Sequence, residues 1–250
     1  MMIDMLIKRR LVAGTREFLL DIAIASAAPR IALFGPSGSG KTLTVQAIAG
    51  LLRPDSGHIN VNGTALYDSR QRIFLSPQDR RLAYLQQDYG LFPHLTVAQN
   101  IVFGLTKGWI NPRRNALPDT ARRWVDAFEL ETILHSYPAE ISGGQKQRAA
   151  LARALAVEPR LLLLDEPLAA LDATLRKKMR GELAALQARL DIPTILITHD
   201  PEDAAALADH VYQIENGRIA GHCSPECLKN GIIATPLMAV DILHIAQTAE

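Results

Sequence analysis

Eight consecutive residues, Gly35-Pro36-Ser37-Gly38-Ser39-Gly40-Lys41-Thr42, have the types and order needed to hold a polyphosphate. They fit the P-loop pattern G-x-x-x-x-G-K-[ST] without a mismatch. Glycines let the backbone curl so that successive N–H groups face inward, and a following helix adds its partial positive charge. Lys41 can then reach the β- and γ-phosphates of a nucleotide such as ATP, and the Thr42 hydroxyl can ligate Mg²⁺. A second chemical point closes the run Leu161-Leu162-Leu163-Leu164, where Asp165 and Glu166 follow one another in the Walker B arrangement. A buried strand would fix the Asp165 carboxylate near Mg²⁺, acting through a metal-bound water. Glu166 is expected to face elsewhere because side chains alternate along a strand, and there it can polarise an attacking water as general base. Gln87 offers an amide oxygen to Mg²⁺ or to that water. His199 offers an imidazole to the γ-phosphate.

Each of these groups needs a strand end to hold it. Arg30-Ile31-Ala32-Leu33-Phe34 is short, apolar and strand-like, and behind the P-loop Val45, Ile48, Ala49 and Leu52 recur at helical spacing. Residues 3–7 and 18–24 read as strands around the turn Ala13-Gly14-Thr15, and His58 to Gly63 as a strand running into a turn. Arg81 to Leu85 is a strand that delivers Gln87. The four leucines and Thr194-Ile195-Leu196-Ile197-Thr198 are continuous apolar runs, as strands buried on both faces require. Val211 to Ile214 and Gly217 to Ala220 suggest a late hairpin. Between about residues 89 and 150 prolines punctuate helical stretches, Arg122 to Leu130 among them, which predicts an inserted helical subdomain. Gln145 to Val157 and residues 173–190 read as helices. Strands alternating with helices imply a largely parallel sheet, whose ligands lie at the carboxyl ends of the strands.

Composition narrows the function classes. The chain has 250 residues, nearly half of them apolar, and a formal charge of only +1, so no field built to attract nucleic acid is evident. The basic runs Lys8-Arg9-Arg10 and Arg176-Lys177-Lys178 read as solvated faces. Cys223 and Cys227 read as reduced thiols rather than a metal site, with Pro225 between them. No apolar stretch is long enough to span a bilayer, and Met5-Leu6-Ile7 is too short for a signal segment. The stretch Ile232 to Ile245 suggests a packed terminal helix.

The stretch Ile141-Ser142-Gly143-Gly144-Gln145-Lys146-Gln147-Arg148 narrows the reading further. Ser142 can cap a helix starting near Gln145, and the two glycines expose N–H groups at its start. The sequence is similar to the LSGGQ signature of the ABC (ATP-binding cassette) ATPases, and the resemblance covers about residues 1–230. It implies a P-loop NTPase core of RecA-like α/β type with an antiparallel β subdomain and an inserted helical subdomain. In that family two cassettes pack head to tail, so Ser142, Gly143, Gly144 and Gln145 are expected to meet, in trans, the ATP held by the partner's P-loop. Leu168-Ala169-Ala170-Leu171-Asp172 resembles the D-loop, which places Asp172 at the dimer interface. Gln87 matches the Q-loop glutamine and His199 the switch histidine.

Residues 87–97, with Phe92-Pro93-His94 inside them, look like the importer form of the segment that receives a membrane subunit. Leu75-Ser76-Pro77-Gln78-Asp79-Arg80-Arg81 is similar to the molybdate-importer branch, and more loosely to the sulfate one. The resemblance therefore implies a transport ATPase at the cytoplasmic face of the inner membrane. Its implied partners are a second copy of itself, two membrane-spanning permease subunits and, indirectly, a substrate-binding protein, with no nucleic acid. Exporter ATPases and soluble non-transport ABC ATPases are the rival readings. Two features depart from the family pattern. Arg9 to Ala13 lacks the aromatic residue that stacks on adenine, and Phe18 stands closer to the P-loop. Residues 231–250 form only a short tail, so no appended oxyanion-binding domain is expected.

Overall fold

Ile3, Met5 and Ile7 are buried while their neighbours are not, the alternation of a half-covered strand. The computed structural model describes residues 3–106, 111–113, 117–169, 171–189 and 192–229, so the expected tail helix lies outside the described residues. Along the chain come β1 (Ile3–Ala13), β2 (Arg16–Ser26), β3 (Arg30–Phe34), α1 (Lys41–Ala49), β4 (Ser56–Val61), β5 (Thr64–Asp68) and β6 (Ile73–Phe74). Then follow β7 (Leu82–Leu85), α2 (Val97–Val102), α3 (Asp119–Ala127), α4 (Gly143–Ala156), β8 (Leu161–Asp165) and α5 (Ala173–Arg189). The last elements are β9 (Thr194–Thr198), α6 (Pro201–Leu207), β10 (His210–Glu215), β11 (Arg218–Cys223) and α7 (Pro225–Lys229). The chain forms two compact units, one from Met1–Leu82 with Pro193–Glu250 and the other from Ala83–Ile192. Among the described residues no helix is long and apolar enough to cross a membrane.

In the first unit the strands run in the order β6-β5-β4-β1-β2-β11-β10-β3-β9. The β10, β3 and β9 strands are parallel, as the sequence leads one to expect of a nucleotide-binding core. The pairs β1–β2, β1–β4, β4–β5 and β5–β6 are antiparallel and form the other side of this sheet. The first hairpin runs further than its apolar residues suggest, staying in register to Ala13↔Arg16. Cross-strand charge accounts for the extension: Arg10 Nε lies 2.8 Å from Glu17 Oε1 beyond the buried part. The short strands β5 and β6 have too few apolar positions to show a period. They follow the turn Asn62-Gly63, both residues at positive φ, which is the geometry of a tight hairpin.

A buried arginine closes the far end of α1. Arg80, 2 % exposed, donates from Nη1 to the carbonyls of Ala47 (2.8 Å) and Ile48 (2.7 Å) and from Nε to Leu75 (3.0 Å). It thereby satisfies carbonyls that a helix C-terminus leaves open and sets a positive charge against the negative end of the dipole. The ring of Phe74 lies under the guanidinium, and burial lowers its pKa to about 10.

In the second unit β8 neighbours β7, and all five residues of β8 are buried. The α2 and α3 helices pack on α4, whose inner face is Ala149, Ala150, Leu151, Ala152 and Leu155. Both α2 and α4 begin with a capping box. Thr96 exchanges bonds with Gln99, and Ser142 with Gln145. The helical stretch expected at residues 122–130 ends early, because Glu129 takes a positive φ (+53°) just past α3.

Candidate nucleotide site

The P-loop grows out of β3, and β9 runs beside that strand in the register Ile31↔Ile195 to Phe34↔Thr198. Gly35 and His199 therefore leave neighbouring strand ends, and His199 is exposed there. The loop is packed so tightly that two of its glycines have no substitute. Gly35 has φ +152°, and a Cβ on it would lie 2.2 Å from the Ile214 carbonyl oxygen. Gly40, the N-cap of α1 at φ +109°, would place a Cβ 2.9 Å from Leu20 and 3.2 Å from the Phe18 ring. Lys41 is 5 % exposed, and its Nζ donates to the carbonyls of Gly35 and Pro36, both at 2.8 Å. The Ser39 N–H donates to Pro36 (3.2 Å), and the Ser39 carbonyl accepts from Gly217 (2.8 Å).

These residues fit a polyphosphate. Ser39 Oγ is buried and has no hydrogen-bond partner among the described residues, and a phosphate oxygen would supply one. The nine-residue α1 presents its N-terminal N–H groups at the same place, and the adjacent Thr42 is exposed with a hydroxyl suited to Mg²⁺. Phe18 is the ring that flanks the loop, whereas Val12 is 65 % exposed.

In the second unit Asp165 ends β8 and is only 6 % exposed. Tyr84, on β7, donates its hydroxyl to Asp165 Oδ2 at 2.8 Å. Burial, and then the negative charge of Asp165, pushes the Tyr84 phenol well above its ordinary value, so it stays a donor. Glu166 does not continue the strand alternation of β8. The strand has ended, and Glu166 adopts φ +47°, a left-handed conformation that is strained for a side-chain-bearing residue. Its carbonyl accepts from Ala169 (3.1 Å) in the turn that follows.

Gln87 is exposed just past β7. The next residues are held from behind by side chains. Arg153 of α4 donates to the carbonyls of Gly90 and Tyr89, both at 2.7 Å, and lies over the Phe92 ring. Asn100 of α2 accepts from the Phe92 N–H (2.8 Å) and donates to the carbonyls of Phe92, Leu95 and Thr96. Beside this frame lies a cavity of about 330 Å³, lined by Tyr84, Gln86, Tyr89, Phe92, Phe103 and Arg153 among others. Ser142 Oγ accepts from the Gln145 N–H (3.3 Å), and the Ser142 N–H donates to Gln145 Oε1 (2.9 Å). A Cβ at Gly143 would sit 3.6 Å from Leu171, and one at Gly144 3.5 Å from Leu175, so the glycines of α4 pack on the start of α5. Asp172 is exposed and caps α5 by accepting from Thr174 (3.1 Å) and Leu175 (3.0 Å).

A family model described as ABC transporter matches residues 24–169. The chain belongs to the ABC transporter family. This cassette is 44 % identical, over 209 residues, to the sulfate/thiosulfate import ATP-binding protein CysA of Caulobacter vibrioides, covering 83 % of the chain and 60 % of the relative. It is 39 % identical to the molybdenum import ATP-binding protein ModC of Paramagnetospirillum magneticum, over 88 % of the chain and 58 % of the relative. The chain thus spans somewhat over half the length of these curated relatives. Its backbone matches the dimeric structure of MJ0796, a bacterial ABC transporter cassette, with a TM-score of 0.73 at 24 % identity, covering 90 % of the chain and 99 % of that structure. A post-hydrolysis dimer of MJ0796 bound to ADP and Pi matches with a TM-score of 0.71 at 25 % identity, with the same coverage. The cassette fold expected from the signature is therefore the observed one.

Three residues of this cassette's polar framework escaped the motif reading. Tyr84 looks in sequence like any strand aromatic, Asn100 like a polar helix residue, and Arg153 like one of several arginines on α4. Only their bonds to Asp165 and to the 89–96 backbone set them apart.

Proposed function

We propose that this cassette is the ATP-hydrolysing subunit of an importer for a tetrahedral oxyanion of the sulfate and molybdate kind. The observation that carries the ATP-binding half of the reading is the P-loop, where two carbonyls hold Lys41 and the buried Ser39 Oγ has no partner among the described residues. The import relatives and the 87–97 segment support the transport half. Two copies associate head to tail, each ATP lying between the P-loop of one and Ser142, Gly143, Gly144 and Gln145 of the other. Lys41 and the P-loop N–H groups bind the β- and γ-phosphates. Thr42, Gln87 and, through water, Asp165 would hold Mg²⁺, which would neutralise phosphate charge when bound. Glu166 removes a proton from water as its oxygen bonds to the γ-phosphorus, and the bond from that phosphorus to the β–γ bridging oxygen breaks, releasing ADP. His199 holds the γ-phosphate, and Asp172 lies at the dimer contact. The dimer works at the cytoplasmic face of the membrane beneath two permease subunits fed by a binding protein.

The test is reconstitution in liposomes with the permease subunits and binding protein that co-purify with the cassette. ATP-dependent uptake is then measured with labelled molybdate, sulfate and thiosulfate in turn. Uptake of one of these oxyanions, abolished with Glu166→Gln, is the expected result. ATP hydrolysis without oxyanion uptake by a complete assembly would remove the substrate class and leave the ATPase reading in place.

A further inference from the structure

We propose that Tyr84 is a positioning residue for the divalent cation that accompanies the nucleotide, acting through the carboxylate of Asp165. The proposal rests on the reading of Asp165 as the Mg²⁺-side carboxylate. Asp165 is 6 % exposed at the end of a strand buried along its whole length, so its charge depends on the partners the protein provides. The Tyr84 hydroxyl, on the neighbouring strand, donates to Oδ2 at 2.8 Å. A carboxylate can swing about its last torsion, which is broad and two-fold. With Oδ2 tied to the Tyr84 hydroxyl, that swing is restricted and Asp165 meets the cation in a single orientation. A metal site held this way loses less entropy on loading, as is usual where an outer residue orients a ligand.

The placement of the Tyr84 ring adds a second consequence. The same side chain forms a wall of the cavity that it shares with Gln86, Tyr89, Phe92, Phe103 and Arg153. A single residue therefore lines that cavity and donates to the carboxylate of the cation site.

The experiment compares the full chain with its Tyr84→Phe variant, using Mn²⁺ as the metal probe and a non-hydrolysable ATP analogue as the nucleotide. Mn²⁺ binding to the protein–nucleotide complex is read by electron paramagnetic resonance, and nucleotide binding without metal is measured in chelator. Losing a hydrogen bond to a charged group should weaken Mn²⁺ binding about tenfold, while metal-free nucleotide affinity stays within about twofold. Asp165→Asn and the double variant complete the cycle. If Tyr84 acts through Asp165, adding Tyr84→Phe to Asp165→Asn changes Mn²⁺ binding by less than about twofold. That comparison also serves if Tyr84→Phe alone unfolds, because the double variant leaves no buried charge without its partner. Equal Mn²⁺ affinity in the parent and Tyr84→Phe would overturn the proposal. So would a full tenfold loss in the Asp165→Asn background. A parent protein that binds the nucleotide in chelator yet gains no Mn²⁺ site would sink the Asp165 assignment itself, and this proposal with it.

Discussion

The glycine loop around Lys41 and the frame behind Gln87 are both polar constructions, and they are made of opposite materials. In the loop the backbone supplies the chemistry. Carbonyls of Gly35 and Pro36 hold the lysine, and glycines are required because Ile214, Leu20 and Phe18 leave no room for a Cβ. In the frame side chains supply it, with Arg153 and Asn100 reaching across to hold carbonyls and N–H groups of a loop that has no comparable motif. A backbone-built site forces glycine at fixed spacing. A side-chain-built one can be made by many residue types from many positions.

The largest effect expected from a single substitution lies outside both regions, at Glu166 just past β8. Glu166→Gln keeps the shape of the residue and removes its basicity, so ATP binding should persist while turnover falls about 10²- to 10⁴-fold. Single-turnover hydrolysis measured beside nucleotide affinity checks this, and the closed dimer should also last longer. Turnover near that of the parent would mean that the strained residue after β8 is not the base.

A second prediction sets the glycine loop against the signature at the start of α4. Lys41→Ala damages the P-loop of its own chain, and Ser142→Arg damages the signature of its own chain. If, as proposed, every site draws one half from each subunit, each mutant homodimer then has two broken sites. Mixing the two inactive proteins creates heterodimers with one site doubly damaged and the other intact. ATPase activity should reappear on mixing, and a linked dimer carrying the two changes in separate halves controls for poor exchange. Confirmed heterodimers as inactive as either parent, beside an active dimer with one deliberately broken site, would refute sharing between subunits.

A smaller effect is expected at Arg153→Lys. An ammonium cannot reproduce the forked contact with two carbonyls, so one of the Tyr89 and Gly90 carbonyls loses its donor. The melting temperature should fall by the equivalent of about 1 kcal/mol, and amide exchange should quicken around residues 89–92. Hydrolysis by the cassette in the absence of membrane subunits should change little. A loss of nucleotide binding in this variant would show that the frame and the loop are less separate than their construction suggests.

The same contrast explains what could be read in the sequence. β3, β8 and β9 are apolar runs whose burial on both faces admits no other composition, and their observed bounds match the reading closely. The P-loop and Ser142 cap were legible because each depends on a local pattern of glycine, lysine or serine. Tyr84, Asn100 and Arg153 were not, because their partners lie 81, 8 and 63 residues away and nothing in the local pattern requires them. β5 and β6 were missed because five and two residues cannot display a period. The positive φ of Glu166 is the opposite case. The residue was found from its position beside Asp165, but its backbone conformation departs from what a continuing strand would impose.

Acid should act on the first unit in a way that sharpens the comparison once more. His210 and His222 face each other across β10 and β11 with Nε2 and Nδ1 3.2 Å apart, beside Tyr212. One ring must donate and the other accept, so protonating both would bring two N–H groups together. Burial, and then the neighbouring His222, lowers the His210 pKa. The unfolded chain, with its histidine near the ordinary value of about 6.5, therefore takes up a proton before the folded one does. The stability linked to His210 is fully present above that value and is lost as the pH falls through the depressed folded value. Arg153 and Tyr84, by contrast, hold their protons throughout this range, since an arginine keeps its charge and the phenol is pushed further from neutrality. Lowering the pH from about 7.5 to 5.5 should reduce amide protection factors, taken relative to the slower intrinsic exchange in acid, more in β10 and β11 than at residues 84–100, because His210 with its depressed pKa lies in the former. His210→Gln, which cannot take a proton, should flatten the response of β10 and β11 and leave that of residues 84–100 unaltered. An unchanged acid response in β10 and β11 of this variant would remove the histidine pair as its source.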